Sequence, residues 1–285
     1  MNLTNISTVK DLLNRHGFSF SKGLGQNFLI NPSVCPKIAE MGNANQDFGI
    51  IEIGTGFGTL TAELARRAKK VVAIEIDSRL IPVLDETLAE FDNIKIINQD
   101  FMETDLNKII SEEFSGMKVA VCANLPYYIT SPVIMKLLES RVPIESITVM
   151  VQKEAGQRLC AEVGTRESGA ITVAVNYYGT AKMLFNVSRG SFMPAPNVDS
   201  CVIRIDVNKN YLLEKNAEDF FFKIVKCGFA QRRKTIAKSI SSQMNIEKSE
   251  IQNILKNMSL SETARTEQLN MNQLIQLSEN LRNII

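Results

Sequence analysis

Residues 50–58, Ile-Ile-Glu-Ile-Gly-Thr-Gly-Phe-Gly, join a short apolar strand to a glycine-rich turn, and residues 59–69 continue with a helical period. A strand that passes through glycines into a helix is the usual first unit of an α/β sheet. Glycine lets the backbone adopt positive φ and approach a ligand closely. The stretch therefore predicts a ligand site where the first strand ends.

Further apolar runs follow this unit and alternate with amphipathic segments. We predict strands at 50–53, 71–76, 94–97, 119–123, 147–151, 170–178 and 200–207, and helices at 59–69, 80–88, 133–138 and 153–163. Alternation of this kind predicts a mostly parallel sheet covered by helices on both faces. Because no full crossover helix separates the last two strands, we expect an antiparallel edge.

The pattern changes after residue 207. Asn208-Lys209-Asn210 is typical of a linker, and helical periods dominate beyond it, at 220–240, 251–255 and 274–285. We therefore predict an α/β domain at residues 1–208, which includes an N-terminal helix near Ser7 and a glycine-containing loop, and a small all-α domain at residues 209–285.

Composition narrows the class of protein. The 285 residues are 45% apolar and 22% charged, as in soluble globular proteins. No apolar run approaches ~18 residues, so we expect no membrane partner. Five scattered cysteines without a CxxC pair indicate free thiols in a reducing, cytoplasmic compartment. His16 is the one histidine, so we expect no bound metal.

Basic residues concentrate toward the C-terminal end. Residues 209–285 hold twelve basic and eight acidic residues, although the whole chain has a net charge of only +1. Within 223–238 six basic residues have no acidic neighbour: Lys223, Lys226, Arg232, Arg233, Lys234 and Lys238. Such a run is either a solvated helix face or a phosphate-binding face, and the pattern alone leaves both open.

A rare tetrad, Asn124-Leu125-Pro126-Tyr127, follows the apolar run 119–123. The exocyclic nitrogen of adenine is a poor nucleophile because its lone pair is delocalised into the ring. Two acceptors, the Asn124 side-chain oxygen and the Leu125 carbonyl, would draw that lone pair out of conjugation. Pro126 restricts Leu125 to extended backbone, and Tyr127 could stack on the base. The structural alternative is a strand that turns at proline beside a core tyrosine.

The glycine turn and the strand ends after it predict the cofactor. Glu75 lies 21 residues after Gly54, where an acid can bind both ribose hydroxyls. The nicotinamide-dinucleotide pattern G-x-G-x-x-G/A fails, because Gly54 and Gly56 are followed by Thr59. The pattern suits a ligand with a ribose and no pyrophosphate, such as S-adenosylmethionine. Asp100 would accept from its adenine amine. Four ordinary strand-end turns are the alternative, which the order of these motifs disfavours.

These motifs together resemble the ribosomal RNA adenine dimethyltransferases, most closely the bacterial small-subunit branch. The matching segments are 25–29, 52–61, 72–77, 99–101, 124–132, 192–200 and 228–239. The resemblance implies a Rossmann-like S-adenosylmethionine-dependent domain with a mostly parallel seven-stranded sheet, followed by a helical RNA-binding domain. It implies a monomer that dimethylates two adjacent adenosines near the 3′ end of 16S rRNA in the small ribosomal subunit. An assembly checkpoint or RNA-binding factor with secondary methylation is the alternative.

The resemblance also implies residue roles. Asn27 and the Leu29 backbone would close over the methionine part of the cofactor, and Asn124 would bridge cofactor and target amine. The implied cofactor site comprises Asn27, Leu29, Gly54, Gly56, Glu75, Asp100 and Asn124. The implied catalytic set comprises Asn124, Leu125, Pro126, Tyr127 and Phe192, with Phe192 on the other face of the target base. The implied RNA contacts are Lys22, Arg232, Arg233 and Lys234.

Several positions distinguish or depart from the family pattern. Leu125 favours the small-subunit branch, because the antibiotic-resistance enzymes of the large subunit usually carry Ile there. Thr55, Val163, Ser168 and Asn197 stand where Pro, Pro, Tyr and Lys are frequent. These departures bear on loop and RNA-facing contacts rather than on the reaction.

Overall fold

The structure, a computed structural model, describes residues 1–19, 21, 23 and 25–284. The chain forms two compact units, one of residues 1–156 and 181–207, the other of residues 157–180 and 208–285. The break after residue 207 lies at the predicted linker, whereas residues 157–180 belong to the second unit. Among the described residues, no helix is both long and apolar enough to span a bilayer.

Two sheets lie in the described part of the chain. The strands are β1 (Phe28–Leu29), β2 (Phe48–Ile53), β3 (Lys70–Glu75), β4 (Ile94–Asn98), β5 (Lys118–Asn124), β6 (Ile144–Gln152), β7 (Gly179–Val187), β8 (Phe192–Met193) and β9 (Ser200–Val207). Seven form one sheet in the order β4-β3-β2-β5-β6-β9-β7, and β1 pairs antiparallel with β8. Strands β2 to β6 are parallel and β9 is antiparallel to β6. The predicted mostly parallel seven-stranded sheet is confirmed.

Helices cover the sheet and build the C-terminal part. They are α1 (Ile6–Arg15), α2 (Val34–Met41), α3 (Thr59–Ala65), α4 (Ile81–Thr87), α5 (Leu106–Glu113), α6 (Thr130–Glu139), α7 (Lys153–Leu159), α8 (Ala170–Tyr178), α9 (Lys215–Phe229), α10 (Ile236–Ser241), α11 (Lys248–Asn257) and α12 (Met271–Arg282). Short 3-10 turns lie at Ser78–Leu80, Phe101–Glu103, Tyr127–Ile129, Arg189–Ser191 and Thr266–Gln268. Helices α9 to α12 confirm the helical C-terminal region.

The strand predicted at residues 170–178 is wrong: the segment forms α8, and β7 is the seventh strand. A continuous apolar run does not distinguish a buried strand from a helix that is buried on all sides. In the second unit, α8 packs on α9 through parallel rings of Tyr178 and Phe222, whose centroids are 5.4 Å apart. This packing outweighs the strand preference of its β-branched residues.

The order of the strands positions the ligand site. The chain proceeds from β2 to β3 and β4 on one side, then returns to β5 and β6 on the other. In open α/β sheets, ligands bind at the carboxyl ends of the strands where the order reverses. Gly54 follows β2, Glu75 ends β3 and Asn124 ends β5, so all three lie at this crevice.

Gly49 in β2 provides a test of the packing beneath the sheet. A Cβ at this buried position would overlap the ring of Phe114, which follows α5. Because overpacking of a dense core is unfavourable, we expect Gly49→Ala to lower the unfolding free energy in urea by roughly 1–3 kcal/mol. Gly190→Ala is the control, since its nearest neighbour would be 3.8 Å away. An unchanged Gly49→Ala midpoint would mean that the ring moves aside freely.

Candidate active site

The turn after β2 requires glycine for two different reasons. Gly54, Gly56 and Gly58 have φ of 75°, 57° and 84°, in the left-handed region. A Cβ on Gly56 would lie 2.8 Å from the ring of Phe28, so close packing forbids one. A Cβ on Gly54 would have the Asn124 carbonyl oxygen, 3.9 Å away, as its nearest neighbour. Gly54 therefore leaves open space in front of its backbone.

The buried carboxylate of Glu75 holds this turn against the end of β3. Its Oε2 accepts from the Thr55 amide and hydroxyl, each at 2.9 Å, and from the Gly56 amide at 3.2 Å. Within the described part of the chain, its Oε1 accepts only from the Asp77 amide, at 2.9 Å. A carboxylate offers about four lone-pair sites. Oε1 therefore keeps capacity for a donor from a ligand.

Residues 26–28 are held next to the glycine turn by contacts with Asp77 and Phe57. The Gln26 side-chain amide donates to Asp77 Oδ2 at 2.8 Å, and Arg79 donates to both oxygens of Asp77. The hydrogen bonds from Arg79 lower the pKa of Asp77, so that carboxylate stays charged. The ring of Phe28 stacks on Phe57, with centroids 3.9 Å apart and planes 16° apart. A polar and an aromatic contact thus fix residues 26–28 at the crevice.

The tetrad presents two acceptors. Asn124 Nδ2 donates to the Asn27 carbonyl oxygen at 3.4 Å, which turns its Oδ1 away from that carbonyl. Leu125 is buried, and no described donor reaches its carbonyl oxygen. Pro126 has φ −54° and ψ 134°, in the polyproline region. The backbone is therefore extended at Pro126, just before the 3-10 turn that begins at Tyr127, and no donor among the described residues reaches Asn124 Oδ1 or the Leu125 carbonyl oxygen.

Two aromatic side chains, Tyr127 of the tetrad and Phe192, are fixed by contacts with other segments. The Tyr127 hydroxyl is 2.8 Å from Ser200 Oγ at the start of β9, which fixes the direction of the ring. Burial raises the pKa of this phenol, and the Ser200 contact offsets part of the increase. Phe192 is buried in β8, where it pairs with Leu29 of β1. Both rings are held by segments remote in sequence.

A cavity of about 230 Å³ opens between these elements in the first unit. Every predicted cofactor and catalytic residue lines it: Asn27, Leu29, Gly54, Gly56, Glu75, Asp100, Asn124, Leu125, Pro126, Tyr127 and Phe192. Three carboxyl groups, of Glu52, Glu75 and Asp100, also face the cavity, and its described lining has no Lys, Arg or His. The cavity therefore favours a cationic ligand over a pyrophosphate.

Glu52 is a cavity residue that the sequence reasoning did not assign. It is fully buried in β2, and neither of its carboxyl oxygens has a hydrogen-bond partner among the described residues. Burial raises its pKa to about 8, and the Glu75 charge adds to the increase. The Thr61 hydroxyl, which is close enough to offset part of it, does not meet hydrogen-bond geometry with either carboxyl oxygen. The neighbouring thiols, Cys35 and Cys122, have raised pKa values through burial and stay neutral. The signal in the sequence that could have identified Glu52 is a single acidic residue within an apolar strand.

The four predicted RNA-contact residues differ in whether the structure describes them and in whether their side chains are already hydrogen-bonded within the protein. Lys22 lies outside the described residues. Arg232 is exposed in the second unit but donates to the carbonyl oxygens of Arg166 at 3.0 Å and Ser168 at 2.9 Å, so it braces that loop. The exposed side chains of Arg233 and Lys234 make no hydrogen bond or ion pair with the described residues. Those two remain available to a phosphate backbone.

Comparison with known proteins gives concordant results. The family model described as "Ribosomal RNA adenine dimethylase" matches residues 17–278. The chain is 45% identical to the "Ribosomal RNA small subunit methyltransferase A" of Geobacillus sp. (strain WCH70), over 97% of each chain. The corresponding protein of Anoxybacillus flavithermus is also 45% identical, over 96% of this chain and 94% of the relative.

Solved structures agree with the sequence relatives. A dimethyladenosine transferase from Plasmodium falciparum has a TM-score of 0.73 at 27% identity, over 90% of this chain and 98% of that one. The 23S rRNA methyltransferase ErmE has a TM-score of 0.66 at 27% identity, over 90% and 100% of the two chains.

The buried carboxyl group predicts a pH-dependent stability. Because the folded-state pKa of Glu52, about 8, exceeds the ordinary value of 4.5, the unfolded chain loses this proton first as pH rises. The wild-type protein should therefore lose stability between about pH 4.5 and 8. Glu52→Gln has no carboxyl proton to lose. Its unfolding free energy, relative to that of the wild type, should therefore rise by about 4 kcal/mol between pH 4.5 and pH 8.

Urea unfolding at several pH values measures this difference. Glu40→Gln, which replaces an exposed carboxylate in α2, should follow the wild-type curve. Parallel curves for Glu52→Gln and the wild type would show that Glu52 is ionised in the folded protein.

Proposed function

The chain belongs to the ribosomal RNA adenine dimethylase family, and from this premise we propose that it dimethylates two adjacent adenosines near the 3′ end of 16S rRNA. It is an rRNA adenine dimethyltransferase, as its family and relatives are. The observation that carries the proposal is the tetrad at the cavity, where Asn124 Oδ1 and the Leu125 carbonyl oxygen are both available to one amine.

The cavity fits S-adenosylmethionine, which supplies an electrophilic methyl group on a sulfonium when bound. Its carboxyl groups suit a cationic ligand, and Glu52 is a buried acid without a partner among the described residues. We assign the ribose hydroxyls to Glu75 Oε1, which has acceptor capacity left. We assign the adenine amine to Asp100, whose Oδ1 accepts from the Met102 amide and whose Oδ2 has no donor among the described residues. Gly54 leaves room for the ligand beside it.

The segment that holds Asn27 and Leu29 would close over the methionine part of this cofactor, with Gly56 at the turn beneath. The Gln26–Asp77 hydrogen bond and the stacked rings of Phe28 and Phe57 hold that segment in place through contacts within the protein. Preorganised contacts of this kind reduce the entropy cost of binding.

The tetrad activates the target amine. Acceptance of its two hydrogens by Asn124 Oδ1 and the Leu125 carbonyl oxygen draws the nitrogen lone pair out of the ring and directs it into the cavity. Alignment of the reacting atoms by fixed groups lowers the barrier. A methylated nitrogen sheds its proton readily to water, so a strong general base is not required. This agrees with a described cavity lining that has no histidine.

The target adenine must leave its stack to reach the tetrad. Unstacking the adenine costs free energy, and stacking on Tyr127 would offset ~1–3 kcal/mol of it. The Ser200 hydrogen bond holds the ring ready, and Phe192 lines the same cavity, where it would cover the other face of the base. The small ribosomal subunit, which is assembled in the cytoplasm, is the proposed partner of a monomeric protein.

Asn124→Ala tests the reaction. Loss of an acceptor that acts on the reacting nitrogen should lower tritiated-methyl transfer to undermethylated small subunits at least 100-fold. RNA affinity should stay within about twofold, since the cavity carries no phosphate contact. Asn186→Ala, on exposed β7, is the control. Near-normal turnover of Asn124→Ala would overturn the mechanism, and wild-type binding without methyl incorporation would favour the assembly-factor alternative.

The Arg233→Ala/Lys234→Ala double variant tests the RNA surface. Loss of two phosphate contacts should reduce the slope of log affinity against log salt by about two, whatever the RNA sequence. Cofactor binding should not change. Lys248→Ala/Lys256→Ala removes the same charge from exposed positions of α11. Equal slopes in the two double variants would show that net charge, and not this site, attracts RNA.

A further inference from the structure

Tyr128, the residue after the tetrad, is the most exposed aromatic side chain of the cavity lining. Its relative exposure is 60%, although it borders the same cavity as buried Phe192. The hydroxyl of Tyr128 has no hydrogen-bond partner among the described residues. One edge of the ring lies 3.4 Å from where a Cβ on Gly25 would be. The ring therefore lies near Gly25 along one edge and is more than half exposed.

The two consecutive tyrosines are held differently. Tyr127 is partly buried and its hydroxyl is bonded to Ser200, whereas Tyr128 has no such anchor. Both belong to the 3-10 turn Tyr127–Ile129, in which successive side chains point about 120° apart. They cannot therefore stack on the same base. A nucleotide bound by Tyr127 leaves Tyr128 free for a different ring.

Chemistry limits what Tyr128 can bind at this opening. The cavity presents carboxyl groups and, in its described lining, no basic side chain, so a phosphate is disfavoured beside it. A nucleobase is flat and uncharged and stacks well on an exposed aromatic ring. When the target adenosine turns out of its strand, the neighbouring base loses a stacking partner. An aromatic ring at the cavity opening can replace that partner.

We propose that Tyr128 is a stacking platform for the nucleotide next to the target adenosine. This inference rests on the proposed function, since it requires an RNA strand whose adenine enters the cavity. Tyr128 is then a positioning residue: it holds the strand in register while Tyr127 and Asn124 engage the reacting base. Its effect should appear in substrate affinity rather than in the chemical step.

The direct probe is a short single-stranded RNA with a central adenosine and 2-aminopurine as its neighbour. Stacking on tyrosine quenches this fluorophore, so binding of the wild-type protein should quench it. Tyr128→Phe should retain the quench, whereas Tyr128→Ala and Tyr128→Leu should lose most of it. Leucine preserves an apolar contact with Gly25 but has no aromatic face. Met183→Ala, at an exposed position of β7, is the control.

Kinetics on undermethylated small subunits supply a second readout. Tyr128→Ala should raise KM about tenfold with kcat within twofold, and Tyr128→Phe should restore the wild-type KM. Cofactor affinity, measured by calorimetry without RNA, should be the same in all variants.

Two results would contradict the proposal that Tyr128 stacks on the neighbouring nucleotide. One is an unchanged quench in both Tyr128→Ala and Tyr128→Leu. The other is a loss of cofactor affinity in Tyr128→Ala with the quench retained, which would make Tyr128 a clamp for the segment at Gly25. A wild-type protein that transfers no methyl group would instead contradict the proposed function, so the two failures are distinguishable.

Discussion

The site depends on one buried carboxylate. Glu75 accepts three hydrogen bonds from the turn after β2 and one from the backbone that follows β3. Without these donors a buried carboxylate would be strongly unfavourable, and without the carboxylate the amides of Thr55 and Gly56 would lose their partner. The same group that shapes the glycine turn keeps one oxygen with spare capacity toward the cavity. Under the proposed function, this carboxylate holds the turn through Oε2 and binds the ribose hydroxyls through Oε1.

The reactive end of the cavity is assembled from segments that are distant in the chain. The Asn124 amide is oriented by the Asn27 carbonyl, 97 residues away, and the Tyr127 ring by Ser200, 73 residues away. Parallel strands bring the first strand ends together, but the ladder of β1 with β8 is needed to bring residues 27–29 and Phe192 to the same place. In the proposed mechanism the tetrad supplies the acceptors for the target amine, and these remote contacts orient the Asn124 and Tyr127 side chains.

Strand ends were the part of this fold that the sequence could predict. A parallel sheet must bring its carboxyl ends to one edge, so Gly54, Glu75, Asp100 and Asn124 were expected together, and all four line the cavity. The strand expected at 170–178 is a helix because burial on all sides has no period that local sequence reveals. The role of Arg232 as a loop brace was equally hidden, since it depends on carbonyl groups 64 and 66 residues away.

The cavity and the proposed phosphate-binding residues differ in charge. The described cavity lining carries the carboxyl groups of Glu75 and Asp100, the protonated acid Glu52 and no basic side chain, so a phosphate is disfavoured there. Arg233 and Lys234, the proposed phosphate contacts, are exposed in the second unit. The proposed reaction requires the target base to leave its stack and enter the cavity without its phosphates. Under the proposed function, the carboxyl groups of the cavity favour the cationic cofactor and disfavour a stacked strand, whose phosphates would accompany its bases.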